Sequence, residues 1–528
     1  MKPTMVKNIL VLGLLMSLGL SFLPQHVASR NEQPPIAPLS TEYWWPMYRN
    51  DPGNTGYTLS KGPDSNLVSN IYENNLPIKY SSPVIVDHKL FIGTTETDQS
   101  YLLCIDIDTS ERLWVYDVPG AIDSSPAVAS GRVFFTFTHQ GDEAMLVCLD
   151  ATSGGRIWDQ SIEHIAVCSP IVFFEKVYVC TIYKPASVSF GEIWCFNFDG
   201  DIIWKERMDA GKVIPWYSAP AAAFTMSGKY LLVPLVREGD YVAHLYAFNA
   251  DTGSFIWDRN LEYVADIVAP SPVIAGGNVY ITRMDGSGRP FAHRLELANG
   301  DVVWSRLLVS GEIMYTASPA VDNQHVYIIT QDITHDESHV YCLTTGTGDL
   351  VWDNEYNGLA YSSPAVADGK LYFSVEGGIV YCLDTITGDT VWTANTHEQI
   401  YSSLAIASQR LFIATFSGRI FAFGDLPEIG VITGGFFSAK TEIRNQGRNN
   451  FSDLTWEITA TGGIFHLIDR TSTGTIDLLE MNTTTSIKVS PLFGLGNIYI
   501  EVIVTTSDLT TVRRMRDGTI LGPFVIFK

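Results

Sequence analysis

Ser362-Ser363-Pro364-Ala365-Val366-Ala367-Asp368-Gly369-Lys370-Leu371-Tyr372-Phe373-Ser374 continues through Val380-Tyr381-Cys382-Leu383-Asp384 and Thr387-Gly388 to Trp392. It contains four short runs rich in aromatic and β-branched residues: Pro364–Ala367, Lys370–Val375, Ile379–Leu383 and Thr390–Thr393. Turn residues separate them, so the stretch reads as four antiparallel strands. The pattern recurs. Opening runs begin at Ser81, Ser124, Cys168, Ser218, Pro270, Ala317, Ser362 and Ser402, 40 to 52 residues apart. Closing tryptophans stand at Trp114, Trp158, Trp204, Trp257, Trp304, Trp352 and Trp392. Four strands in a unit of this length is the signature of a β-propeller blade.

The eighth unit has three strand runs, Leu404–Ala407, Arg410–Phe416 and Arg419–Phe423, and no fourth. Trp392 precedes Ser402 by ten residues, and ten residues before Ser81 is Ile71, within Leu67-Val68-Ser69-Asn70-Ile71-Tyr72. This stretch is expected to supply the missing outer strand and to close eight blades into a ring with no free edge.

Alternating strand direction puts the second–third loops and the blade connections on one face. The third–fourth turns on the other face are nearly constant in length, and Asp106, Asp150 and Asp384 are placed to cap them. The second–third loops range from Gly377-Gly378 to the segments 184–192 and 284–292. Loops on a rigid scaffold carry function, so the variable face is the expected contact surface. Tyr80, Tyr217, Tyr361 and Tyr401 each precede an opening run, and with Trp216 they form a candidate binding rim at the channel mouth. The alternative for the same residues is packing between neighbouring inner strands.

Lys2 and Lys7 precede an apolar run from Ile9 to Leu23, then Val27-Ala28-Ser29, so residues 1–29 read as an export signal. Residues 30–66 read as linker and propeller lead-in, 67–425 as the eight-bladed propeller, and 426–528 as a small immunoglobulin-like β-sandwich. The fold class is therefore all-β, and the expected place is extracytoplasmic, secreted or at the cell surface. A formal net charge of −23 argues against a nucleic-acid partner. No transmembrane span is expected after signal cleavage.

Cys104, Cys148, Cys195, Cys342 and Cys382 share one strand position in separate blades, too far apart to bridge. A tight turn at Glu175-Lys176 would pair Cys180 with Ile171 rather than Cys168, so no disulfide is expected there. His335-Asp336-Glu337-Ser338-His339 lacks the helical His-Glu start of a zincin and reads as solvated loop, with no metal site expected. No phosphate-binding glycine loop, nucleophile elbow or Cys-x-x-Cys pair is present.

The repeat resembles the pyrroloquinoline-quinone-type β-propeller, on Ser362-Ser363-Pro364-Ala365-Val366, Lys370-Leu371-Tyr372, Val380-Tyr381-Cys382-Leu383-Asp384, Thr387-Gly388 and Trp392. Trp45-Pro46-Met47-Tyr48-Arg49-Asn50-Asp51-Pro52, running on to Thr55-Gly56, is similar to the segment that precedes such propellers. The resemblance implies one of two roles. One branch holds quinone-dependent dehydrogenases, with a vicinal disulfide, a calcium ion and an aspartate base. The other holds non-enzymatic scaffolds. No two cysteines here are adjacent and long active-site insertions are missing. The expectation is a non-enzymatic binding or scaffold propeller whose partner is a protein or cell-surface component. No catalytic residue and no cofactor are expected. The alternative, a dehydrogenase-like quinoprotein holding pyrroloquinoline quinone (PQQ) with calcium, has no motif here in its support.

Overall fold

The computed structural model describes residues 44–527 apart from 74–75, 97–98, 140–142, 167, 184–188, 215–220, 226–227, 238–241, 264–269, 286, 309–313, 425, 446–449 and 508–510. These residues belong to one compact unit, Glu42–Lys528. The export-type run, Trp216 and Tyr217 lie outside them. Secondary structure among the described residues is β throughout, apart from one 3₁₀ turn at Ile464–His466. No described helix is long and apolar enough to cross a membrane.

Each repeat forms its own sheet. The seventh contains Ala365–Ala367, Lys370–Ser374, Ile379–Asp384 and Thr390–Asn395 in that spatial order. The eighth contributes Ala405–Ala407, Arg410–Ala414 and Arg419–Phe423, and Val68–Glu73 completes it antiparallel to the last of these. Ile71 pairs with Phe421. The strand expected to end at Phe416 stops at Ala414, because Gly418 at φ 92° turns the chain back.

Two residue types join the sheets in sequence. Each closing tryptophan donates its indole N–H to a carbonyl of the following unit: Trp114 to Ala151, Trp158 to Phe198, Trp204 to Ala250, Trp257 to Leu297, Trp304 to Thr345 and Trp352 to Thr385. Trp392 donates to Pro63, just ahead of the strand that completes the eighth sheet. The second residue of five opening runs takes the same step. Ser82 N–H donates to Ser125 Oγ, Ser125 to Ser169, Ser271 to Ser318, Ser363 to Ser403, and Ser403 back to Ser82 at 3.0 Å.

The lead-in 45–58 is built into this assembly. The amides of Ile85, Val128, Ile274, Val321 and Val366 stand four residues after their openings, and they donate to the carbonyls of Trp45, Pro46, Gly53, Thr55 and Gly56. First strands would otherwise leave these donors unpaired at a sheet edge. The Arg49 guanidinium, buried beneath the segment, donates to the carbonyls of Asn54 and Pro319.

One sequence expectation is corrected. Phe174 and Glu175, both at positive φ, form the two-residue turn of the third unit. Ile171 therefore pairs with Tyr178, not Cys180. The Cys180 amide instead donates to Cys168 Sγ at 3.0 Å. In the seventh unit the Ser362 hydroxyl bonds Ser374, also twelve residues on, in the same way. All seven thiols are free and buried.

The C-terminal residues form two sheets. Ala439–Arg444 pairs with Thr484–Val489, Glu428–Ile429 and Thr433–Gly434. The other sheet runs Ile468–Leu479, Phe451–Gly462, Gly494–Thr505, Thr511–Gly522 and Phe524–Phe527. Alternate residues of both sheets, Ile443 and Val489 against Ile458, Ile500 and Val502, enter one buried core.

Candidate functional site

The residue before each opening run sits at the end of the first strand opposite the lead-in. Among the described residues this position holds Tyr80, Asp123, Thr316, Tyr361 and Tyr401. The Tyr361 and Tyr401 rings lie 5.5 Å apart. Tyr401 donates its hydroxyl to Glu376 Oε1 at 2.8 Å, and its ring meets Phe416 edge-on. Glu376 and Phe416 belong to second–third loops, so these loops and the blade connections do share a face. Lys79 Nζ stands 4.6 Å from the Tyr80 ring centre, a cation–π distance.

The electrostatics follow from this crowding. Desolvation, then Glu376, then the Tyr361 and Tyr80 phenols push the Tyr401 hydroxyl up to about 12. Tyr401 is therefore a neutral hydrogen-bond donor at any physiological pH. Burial raises the Asp123 carboxyl, opposed by the Thr95 hydroxyl and Lys79. Beside the rim, Glu398 feels burial first, but bonds from Ser417, Thr415 and Arg419 outweigh it and hold the carboxyl below its usual range. That pins the loop carrying Phe416.

The structure thus brings together Tyr80, Tyr361 and Tyr401; Trp216 and Tyr217 lie outside the described residues. The aromatic signal missed Asp123, Glu376 and Lys79. Asp123 precedes Ser124 as Tyr80 precedes Ser81, so the register alone could have found it.

Two other groups bring metal-ligating atoms within 4.8 Å of one another: Glu163, His164 and Glu192, and Glu337, His339 and Glu355. In the first, Lys205 Nζ lies 3.0 Å from Glu192 and 3.2 Å from Glu163, so the protein supplies its own cation. In the second, Glu337–Thr344 is a strand rather than the expected loop, which places Glu337 and His339 on one face beside Glu355. A hydrogen bond with Glu355, then desolvation, raises the Glu337 carboxyl.

Quinone-and-calcium chemistry is a poor fit to the described mouth. Its donors are three phenols and the carboxylates Asp123 and Glu376, one beside Lys79 and the other bonded by Tyr401. All seven cysteines are free, and no two are neighbours in sequence.

A family model described as outer membrane protein assembly factor BamB matches residues 73–160, 98–354 and 294–426. Similar solved structures include BamB from Moraxella catarrhalis, 14% identical with a TM-score of 0.52 over 68% of this chain and 99% of that one. A quinohemoprotein alcohol dehydrogenase from Pseudomonas putida HK5 is 12% identical with a TM-score of 0.56, over 72% and 80%. Another from Comamonas testosteroni is 14% identical with a TM-score of 0.55, over 75% and 83%. At these identities the likeness is one of fold, the β-propeller. No curated protein matches the chain.

Proposed function

The chain belongs to the PQQ-like β-propeller repeat family represented by the BamB assembly-factor model, and from that premise we propose that it is an exported, non-enzymatic binding propeller. Its eight sheets form one closed ring, and residues 426–528 form an appended immunoglobulin-like sandwich. The serine step from Ser403 back to Ser82 supports the closure, as does the strand at Val68–Glu73. The protein acts in the extracytoplasmic space, where an export signal at 1–29 would deliver it.

The observation that carries the reading is the arrangement of the two ends of the first strands. The lead-in occupies one end. The other presents Tyr361, 43% exposed, with Tyr401 and Tyr80 beside Lys79, Asp123 and Glu376. Tyrosines joined to satisfied charges suit protein recognition, since they offer large rigid contact areas at low entropic cost. A partner protein therefore docks on this face, without quinone or calcium.

A photo-crosslinking residue in place of Tyr361 tests this, compared with one in place of Ile386 in a third–fourth turn of the opposite face. Cross-linked partner at 361 and none at 386 is the expected result. Equal capture at both positions, or capture at 386 alone, would overturn the assignment.

A further inference from the structure

Four connections of the C-terminal sheets converge at one end of that body: 434–438, 463–467, 490–496 and 521–524. The register requires it. Ala439 pairs with Val489, Gly462 with both Ile468 and Ile498, and Gly494 with Gly522. Backbone bonds tie the connections together, from Phe437 N–H to the Pro523 carbonyl and from Leu492 N–H to the Phe437 carbonyl. Their side chains also meet. The Phe436 ring lies 4.5 Å from Phe437 and 5.5 Å from Phe524, and Phe437 stacks 6.2 Å from Phe493. Leu495 pairs across strands with Leu521.

These side chains protrude. Leu467 is 80% exposed, Phe493 68% and Phe436 65%, and Ile464, Leu495, Leu521 and Phe524 are each more than half exposed. Turns at the end of a sheet ordinarily carry polar residues. A contiguous exposed apolar patch marks an interaction surface.

The charge pattern selects the occupant. None of the four connections contains Asp, Glu, Lys or Arg, in a chain of net charge −23. The first charged side chains behind them are Lys440, Asp469, Lys488 and Asp517. They stand two to four residues back, about 7–13 Å at strand spacing. That collar lies near the depth of about 5–10 Å to which interfacial elements sink into a bilayer. A hollow beside the cap is lined by Gly463, Ile464 and Gly496 but also by His466, Asn497 and Asp517, so its walls are partly polar. The protruding apolar side chains lie outside a matching pocket, and a bilayer takes up such groups without shape matching. The acidic chain would be repelled by anionic lipid. The far end of the strand Thr511–Gly522 meets the propeller, where Thr511 Oγ1 lies 3.2 Å from His88 Nε2. The cap sits about 33 Å along the strand from that contact.

We propose that this uncharged cap docks the protein on a zwitterionic lipid bilayer, seating Phe436, Leu467, Phe493 and Phe524 at the headgroup–acyl boundary.

The test uses the full chain with Phe493→Cys carrying a polarity-sensitive fluorophore; the seven native thiols are buried and will not compete. Phosphatidylcholine vesicles should shift its emission to the blue, and lipid-borne spin labels should quench it. The same label at Thr473→Cys, on the exposed strand Ile468–Leu479, should not respond. Adding Phe436→Ser and Leu467→Ser should weaken vesicle partition by about tenfold or more, because each seated side chain contributes substantially. These positions are exposed, so thermal unfolding should be unchanged. An unresponsive label at 493, or an equal response at 473, overturns the proposal. So does a blue shift that grows with protein concentration without vesicles, which indicates a second copy. Tighter partition onto anionic vesicles would overturn the choice of lipid.

Discussion

Replacing Asp108 by Ala tests the junction between the eighth and first units. Arg410 Nη2 lies 2.7 Å from Asp108 Oδ1, and Arg410 Nη1 donates to the Ile107 carbonyl at 2.6 Å. His88 Nδ1 lies 2.8 Å from the other carboxylate oxygen. The Arg410 and Asp108 side chains are 3% and 1% exposed. Removing the carboxylate strands a buried guanidinium, which costs about 3–5 kcal/mol. Asp251 is the control. It pairs with Lys176 and Lys229 but is 40% exposed. Its loss should cost no more than about 1 kcal/mol. Thermal unfolding followed by tryptophan emission compares the two, and hydrogen exchange at Arg419–Phe423 localises the effect. Burial raises the Asp108 carboxyl, but Arg410 and His88 outweigh it, so the folded value is depressed. The contribution is therefore present above the unfolded carboxylate value near 4 and is lost as pH falls through the folded value. If Asp108→Ala is no more destabilising than Asp251→Ala, the junction is not the buried lock described.

Three further outcomes are expected. Trp392→Phe keeps the ring packing but loses the indole bond to Pro63, costing about 0.5–1.5 kcal/mol by denaturant unfolding. Gly388→Ala should destabilise by about 1–3 kcal/mol in the same assay, since φ is +76° and the new Cβ would lie 2.7 Å from the Trp352 ring. Tyr401 holds its proton to about 12, so partner affinity through it should be flat from pH 6 to 9 in a binding titration. Tyr401→Phe should weaken that binding at every pH.

Much of the fold was legible because it rests on spacing. Trp392, the opening serines and the missing fourth strand together point to the stretch around Ile71 as the eighth unit's outer strand, and the register it takes there, Ile71 opposite Phe421, comes from the structure. Other features left no local signature. The lead-in pairs with five separate first strands, so its partners lie from 40 to 310 residues away and its own sequence shows no strand alternation. The Phe174-Glu175 turn needs two residues at positive φ without glycine or asparagine, which propensity places elsewhere. At the site, aromatic residues drew attention and Asp123 did not, although it holds the same register position. Glu355 joins Glu337 and His339 only through cross-strand pairing, which a motif read along the chain cannot see.

The account depends on Val68–Glu73 completing the last unit. Arg419 Nη2 lies 2.8 Å from Glu73 Oε1 across that pairing, so Glu73→Cys with Arg419→Cys places two thiols side by side while the native thiols stay buried. Mild oxidation should give an intramolecular disulfide in nearly every folded molecule and raise the unfolding temperature. A folded chain that forms no such bond, or forms it only between molecules, would contradict the closure.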